Sequence, residues 1–185
     1  MNKNFTFELK DANKLNDEEK NQLMMLSISE YPAFKKLYAK NKYYSTVKPQ
    51  KQFIIKQGKK IIGTGKFLWR TIKVNKKSFR MAAFGVLISK KYQKLGLGTE
   101  LIKRDIQEAK KKKIDLLYGS TSNPVAVKIL EGLGFRQLKT AVLYKDSETK
   151  QIKMEKGQVY IFELKNGILK QIEKTKKFFI GIGPV

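Results

Sequence analysis

Residues 3 to 9 (Lys-Asn-Phe-Thr-Phe-Glu-Leu) alternate apolar and polar positions, the period-two pattern of a half-buried strand. Asn16-Asp-Glu-Glu19 then has the spacing of a capping box, and Leu23, Met24, Leu26 and Ile28 follow it, so the pattern predicts a helix to about Glu30. Pro32 suits the first turn of a second, short helix carrying Phe34, Leu37 and Tyr38. The lysine-rich, aromatic segment 41–50 reads as a loop. A meander comes next: strands over 52–56, 61–74 and 79–89, with turns at 57–59 and 75–78 between them. Gly63 and Gly65 inside the middle strand predict a bulge or a close backbone approach.

Leu97, Leu101, Ile102, Ile106 and Ala109 recur at helical spacing and predict a helix through Lys110, with Lys110 to Lys113 loading its negative end. Ile114-Asp-Leu-Leu-Tyr-Gly119 is a short, mostly apolar run of the kind buried in a parallel pair. A strand, a crossover helix and a strand form the expected right-handed unit. Residues 120–123 turn into a helix starting at Pro124 and stopped by Gly132-Leu-Gly134, before a strand at Phe135. Segment 158–164 is a late strand, and the apolar end, 178–185, reads as packing on the body. The sum is α/β (α+β): one domain over 1–185, with 166–185 as its C-terminal tail and a mixed central sheet of about six to seven strands carrying helices on both faces.

Composition changes this picture in three ways. At 41% apolar and 30% charged, the 185-residue chain is globular, and no apolar run approaches the roughly 20 residues of a membrane span. Its start lacks a secretory h-region, so a cytoplasmic protein is expected. Cysteine and histidine are both absent, which removes thiolate catalysis, disulfides, the usual general base and the commonest metal ligands. No metal site is expected, and acid–base chemistry falls to carboxylates, tyrosines, lysines, a chain terminus or water. Finally, 40 basic against 16 acidic residues give a formal charge of +24, with 18 Lys or Arg and no acid in residues 31–99. That surplus suits an anionic partner; scattered surface lysines explain it equally well. Arginine is sparse, which argues against base readout.

The candidate chemistry centres on Gly85-Val-Leu-Ile-Ser-Lys-Lys-Tyr-Gln-Lys-Leu-Gly-Leu-Gly98, where an apolar strand passes through a basic, glycine-bearing turn into a helix. The first backbone N–H groups of a helix lack intrahelical partners and sit at the positive end of its dipole. Gly96 and Gly98 allow an anion to approach them.

The run Ile88 to Gly98, with Gln93, Gly96 and Gly98, resembles the acetyl-CoA signature Arg/Gln-x-x-Gly-x-Gly/Ala of the GCN5-related N-acetyltransferase (GNAT) superfamily. Asn123-Pro-Val-Ala126-Val-Lys-Ile-Leu130-Glu-Gly-Leu-Gly134-Phe135 resembles the same family's second signature, at the right distance and in the right order. The resemblance covers about residues 3 to 165. It implies a GNAT-like fold with a splayed parallel strand pair, and acetyl-CoA as co-substrate. Backbone groups of Val86, Leu87 and Ile88 would pair with the pantetheine amides. The amides of Gln93, Lys94, Leu95, Gly96, Leu97, Gly98 and Thr99 would hold the pyrophosphate. Lys94 and Lys128 become candidates for the nucleotide end, and Asn123 and Ala126 for the pantetheine side, Asn123 reading equally as a helix cap.

Two family features are missing. The tyrosine that commonly protonates the leaving thiolate is Leu130 here, and the strand before the loop carries Ala83 and Phe84 where a carboxylate often serves as base. Candidate substitutes are Tyr118, Tyr144, Tyr160 and Glu163. The C-terminal segment also resembles the ending of aminoglycoside 2′-N-acetyltransferases and nodulation N-acyltransferases, which makes the Val185 carboxylate a further candidate. The resemblance implies acetyl transfer to a primary amine of a small molecule or peptide. The charge favours an anionic or neutral acceptor, or an acidic acyl carrier protein as donor. Two other readings stand beside it: a CoA-binding sensor or scaffold that has lost its chemistry, and, less favoured, a basic nucleic-acid-associated protein.

Overall fold

A computed structural model describes residues 4–43 and 45–183 of the chain. In chain order the elements are β1 (Phe5–Asp11), α1 (Asp17–Glu30), α2 (Lys35–Asn41), β2 (Lys51–Gln57), β3 (Lys60–Val74), β4 (Lys77–Ile88), α3 (Leu97–Lys111), β5 (Leu116–Thr121), α4 (Pro124–Gly132), β6 (Arg136–Leu138), β7 (Ala141–Asp146), β8 (Ile152–Met154), β9 (Gln158–Glu163), α5 (Ile168–Glu173) and β10 (Lys177–Gly183). Seven strands form one mixed sheet in the order β1-β2-β3-β4-β5-β9-β6, and β10-β7-β8 form a second. Among the described residues, no helix is long and apolar enough to cross a membrane.

The chain divides into two compact units: Met1–Leu68 with Gly85–Arg104, and Trp69–Phe84 with Asp105–Val185. In the first, α1 begins as its sequence dictates. Asn16 Oδ1 accepts the Glu19 amide at 2.8 Å, and the Glu19 carboxylate reaches back to the Asn16 amide. Leu23 and Leu26 of this helix pack with Ile54, Ile61 and Leu87. The nearly buried Glu19 carboxylate also meets Lys10 at 2.5 Å and Lys56 at 3.2 Å, and Lys56 bridges to Glu8 at 3.0 Å. A four-charge cluster therefore ties α1 to β1 and β2. The bulge expected at Gly63 is present: the β2–β3 register slips between Ile55 and Lys56.

In the second unit β4 and β5 are parallel, paired over Met81–Ala83 and Leu116–Tyr118. Here also the second sheet exceeds the sequence reading. The tail is a strand, β10, running parallel to β7 with a register shift between Phe179 and Ile182. At that shift Gly181 has φ +88°, and a Cβ there would lie 2.7 Å from Arg70 Nη1. The Arg70 guanidinium occupies the space instead, donating to Ile180 O at 3.0 Å and to Ile182 O.

Candidate active site

The segment expected to bind an anion lies in the first unit. Leu97, Leu101 and Ile102, all buried, seat the start of α3. Tyr92 anchors the preceding turn, its ring edge-on to Phe5 and its hydroxyl donating to Gln57 Oε1 at 2.8 Å. The chain then passes through Lys94 at φ +61° and Gly96 at φ +75°, two left-handed positions in the turn that leads into α3. The first α3 hydrogen bond runs from the Glu100 amide to Gly96 O at 3.0 Å, so the amides just before Glu100 precede the helical ladder. Gly98 lies over the strand end, within 4.0 Å of where a Cβ would touch Val86 and Ile88. Gln93 faces the other way, its amide directed to Lys90 O at 3.3 Å and its side chain donating to Ile88 O at 3.1 Å. Lys94 is exposed. Val86 and Ile88 are half-buried and Leu87 is buried, so alternate side chains hold the strand while its backbone continues four residues past the Phe84 position.

The second unit holds the other signature. Asn123 caps α4: its Oδ1 accepts the Val125 amide at 2.9 Å, with Pro124 in the first turn. Ala126 is half-buried, Lys128 exposed, and Leu130 buried in the helix core. The parallel pair reaches its last recorded rung at Ala83 and Tyr118, and at the next position the Phe84 ring lies against Gly119, where a Cβ would meet it at 2.9 Å. Phe84 packs tilted against Phe135, and Phe135 against Phe162, with centroids 5.4 and 5.1 Å apart. Apolar Phe84 thus starts an aromatic column where the strands stop pairing.

The tyrosine candidates separate. Tyr118 is fully buried and its hydroxyl meets Glu155 Oε2 at 3.5 Å; burial first, and the Glu155 charge second, push it far up and keep it protonated. Tyr144 is raised in the same way, by burial and then by Glu155, against the opposing charge of Lys153. These two therefore share Glu155, an acid that motif reading passes over because it sits in the β8–β9 loop, 37 residues from Tyr118. Tyr160 belongs elsewhere, with its hydroxyl between Gln158 at 3.1 Å and Glu131 at 3.4 Å. Glu163 has both oxygens engaged, one by the Leu169 amide at 2.8 Å at the start of α5 and the other by Arg136. Val185 lies outside the described residues. Among the described residues, no group of three or more acidic side chains is placed to hold a metal ion.

The turn that leads into α3 and the capped start of α4 are the settings of the two sequence signatures. A sequence profile of the acetyltransferase (GNAT) family matches residues 17–135, and the chain belongs to that family. No curated protein matches the chain. Among solved structures it resembles the NatC complex bound to Gag peptide and CoA (13% identity, 86% of this chain and 98% of that one, TM-score 0.57). It also resembles yncA from Salmonella typhimurium, solved with its cofactor acetyl-CoA (13%, 88% and 95%, TM-score 0.53). A third is the ribosomal-protein-S18-alanine N-acetyltransferase of Escherichia coli (16%, 86% and 95%, TM-score 0.55). At these identities the likeness is one of fold.

Proposed function

We propose that the chain transfers an acetyl group from acetyl-CoA to a primary amine by direct attack of the amine on the thioester, within one catalytic domain spanning 1–185. The observation that carries this reading is the turn from Lys94 to Thr99, with φ +61° at Lys94 and +75° at Gly96, which follows β4 and leads into α3. Such a turn suits a pyrophosphate, because the unpaired N–H donors of a helix start favour anions by about 0.3 to 1 kcal/mol or more. The Gln93 amide, bent toward Lys90, contributes least to it. Val86, Leu87 and Ile88 would present backbone groups to the pantetheine arm as to an added strand, with the Ile88 carbonyl already shared by the Gln93 side chain. Lys94 is free to swing over the phosphates. In the other unit, Asn123, Ala126 and Lys128 are assigned to the coenzyme on the strength of the second signature, each to be tested by its own substitution. The thioester supplies an activated acetyl group, and holding it beside an amine supplies much of the acceleration by proximity.

The experiment pairs binding with turnover. At 100 times its Kd, acetyl-CoA should stabilise the protein by about 2.7 kcal/mol, a Tm rise on the order of 5 to 10 °C for a chain of this size. A panel of 4-aminobutyrate, butylamine, spermidine and a peptide with a free, acidic N-terminus should then release CoA. No thermal shift would defeat the reading. Binding without turnover would favour a CoA-dependent sensor, the alternative motivated by apolar Leu130 buried in α4.

A further inference from the structure

At neutral pH a primary alkylamine is an ammonium ion, and its nitrogen becomes a nucleophile only after losing a proton. A chain without histidine must accept that proton elsewhere. In the second unit a pocket of about 390 Å³ opens between residues 137–142 and 154–159. Among its described lining residues Glu155 is the one acid, accompanied by Lys139 and Lys156. The Glu155 oxygens are unequally committed. Oε1 accepts the amides of Lys156 and Gly157, both at 3.0 Å, and the Glu155 amide donates to Val142 O at 2.9 Å, so the loop and one oxygen are fixed. Oε2 meets the Tyr118 hydroxyl at 3.5 Å and retains acceptor capacity, because a carboxylate oxygen offers two lone pairs. Tyr118 stands opposite Ala83, at the last rung of the parallel pair.

We propose that this pocket is the acceptor site, that it takes a primary amine carrying an anionic group, and that Glu155 receives the amine's proton while Tyr118 positions its Oε2. The inference rests on the acetyl-transfer reading. The ammonium pairs with the Glu155 carboxylate and the acceptor's anion with Lys139 or Lys156, so a polycation is disfavoured. The step balances: R–NH3+ gives one proton to Glu155, the freed nitrogen bonds to the thioester carbon, and the carbon–sulfur bond breaks. The nitrogen then loses a second proton, the departing thiolate takes one up, and one proton per turnover reaches solvent when Glu155 resets. The groups around Glu155 are Tyr118 of β5 and Tyr144 of β7, with Lys139 and Lys156; beyond Tyr144 lie Lys153 of β8 and Asp146, paired at 2.9 Å. Burial holds the protons on Tyr118 and Tyr144, which leaves Glu155 as the carboxylate placed to take one.

The test uses the full chain with acetyl-CoA and the amine panel above. Wild type should favour 4-aminobutyrate and the acidic peptide over spermidine, with kcat/KM rising on the acid side of its pH profile. Glu155→Gln keeps an acceptor for the Lys156 and Gly157 amides. It should lower kcat/KM by about a hundredfold or more and abolish the acid limb, while the acetyl-CoA thermal shift is unchanged. Tyr118→Phe should lower kcat/KM by about tenfold and move the acid limb to higher pH, because a donor to the charged carboxylate is lost; a purely structural tyrosine would leave the limb in place. Glu155→Gln activity within threefold of wild type overturns the proposal, as does a preference for spermidine. Acetyl-CoA binding with no amine turned over also overturns it. Absence of an acetyl-CoA thermal shift is a different result, the failure of the acetyl-transfer reading itself.

Discussion

Asp105, on α3, is the residue whose replacement should say most about how that helix is held. Its side chain is fully buried, and among the described residues neither carboxylate oxygen has a hydrogen-bond partner. Desolvation, and secondarily the charge of Glu108, push its pKa well above the ordinary 3.8, so the folded protein keeps it protonated where the unfolded chain ionises it. An acid raised in this way holds more protons folded than unfolded. The stability it permits is greatest at or below the unfolded pKa and falls as pH rises from there to the folded value. The slope is about 1.4 kcal/mol per pH unit. Asp105→Asn has nearly the same shape and does not titrate, so the difference in stability between variant and wild type isolates this one group. Whatever constant offset the amide introduces, the difference should move in the variant's favour as pH rises from 4.5 to 6.5, because only the wild type carries an acid that burial keeps protonated. The assay is urea unfolding at a series of pH values, with m compared to confirm that the transition is the same. A difference that stays flat over that interval would refute the reasoning, since it would mean that the folded protein ionises Asp105 as readily as the unfolded chain does.

Three further outcomes follow from other sites. Gly96→Ala puts a side chain at φ +75°, which should cost about 1 kcal/mol of stability and weaken acetyl-CoA binding measured by calorimetry, whereas Gly98→Ala, with Val86 and Ile88 no closer than 3.9 Å, should be milder for folding. Glu19→Gln should destabilise by about 1 to 3 kcal/mol at pH 7, because Lys10 and Lys56 lose their shared carboxylate. Burial raises the Glu19 pKa, but the hydrogen bonds from Lys10, Lys56 and the Asn16 amide outweigh it and lower the folded value, so the deficit should shrink as pH falls through that value, in thermal melts from pH 7 to 3. Arg70→Ala should uncouple β10 from β3, read as faster proteolytic trimming of the C-terminal residues and faster hydrogen exchange at Ile180 and Ile182.

The parts of this fold that could be read from the sequence are those governed by local chemistry. The Asn16 box, the Pro124 start, the bulge beside Gly63 and the glycine-bearing turn before α3 each depend on residues within a few positions of one another, and the structure places all four. What escaped is set by distant partners. Strands β7 and β8 are short, and β10 is a strand because β7 and Arg70 receive it, which no periodicity announces. Asp105 was within reach: it sits four residues after Leu101 and four before Ala109, on the buried stripe of α3, while the expected Ile106 is only half-buried. Glu155 was not. It belongs to no motif and acquires its partner only when the β8–β9 loop meets β5.

The Arg70 clamp also bears on the order in which the molecule can assemble. Its carbonyl partners lie 110 and 112 residues further along the chain. Contacts of such sequence separation form late, after the loop-closure entropy has been met, and they slow folding. During synthesis Arg70 emerges long before Ile180, so its half-buried guanidinium must wait for the carbonyls that receive it. Docking of β10 is therefore the step that closes this part of the unit, and a chain lacking that strand should be more open to proteases around Arg70.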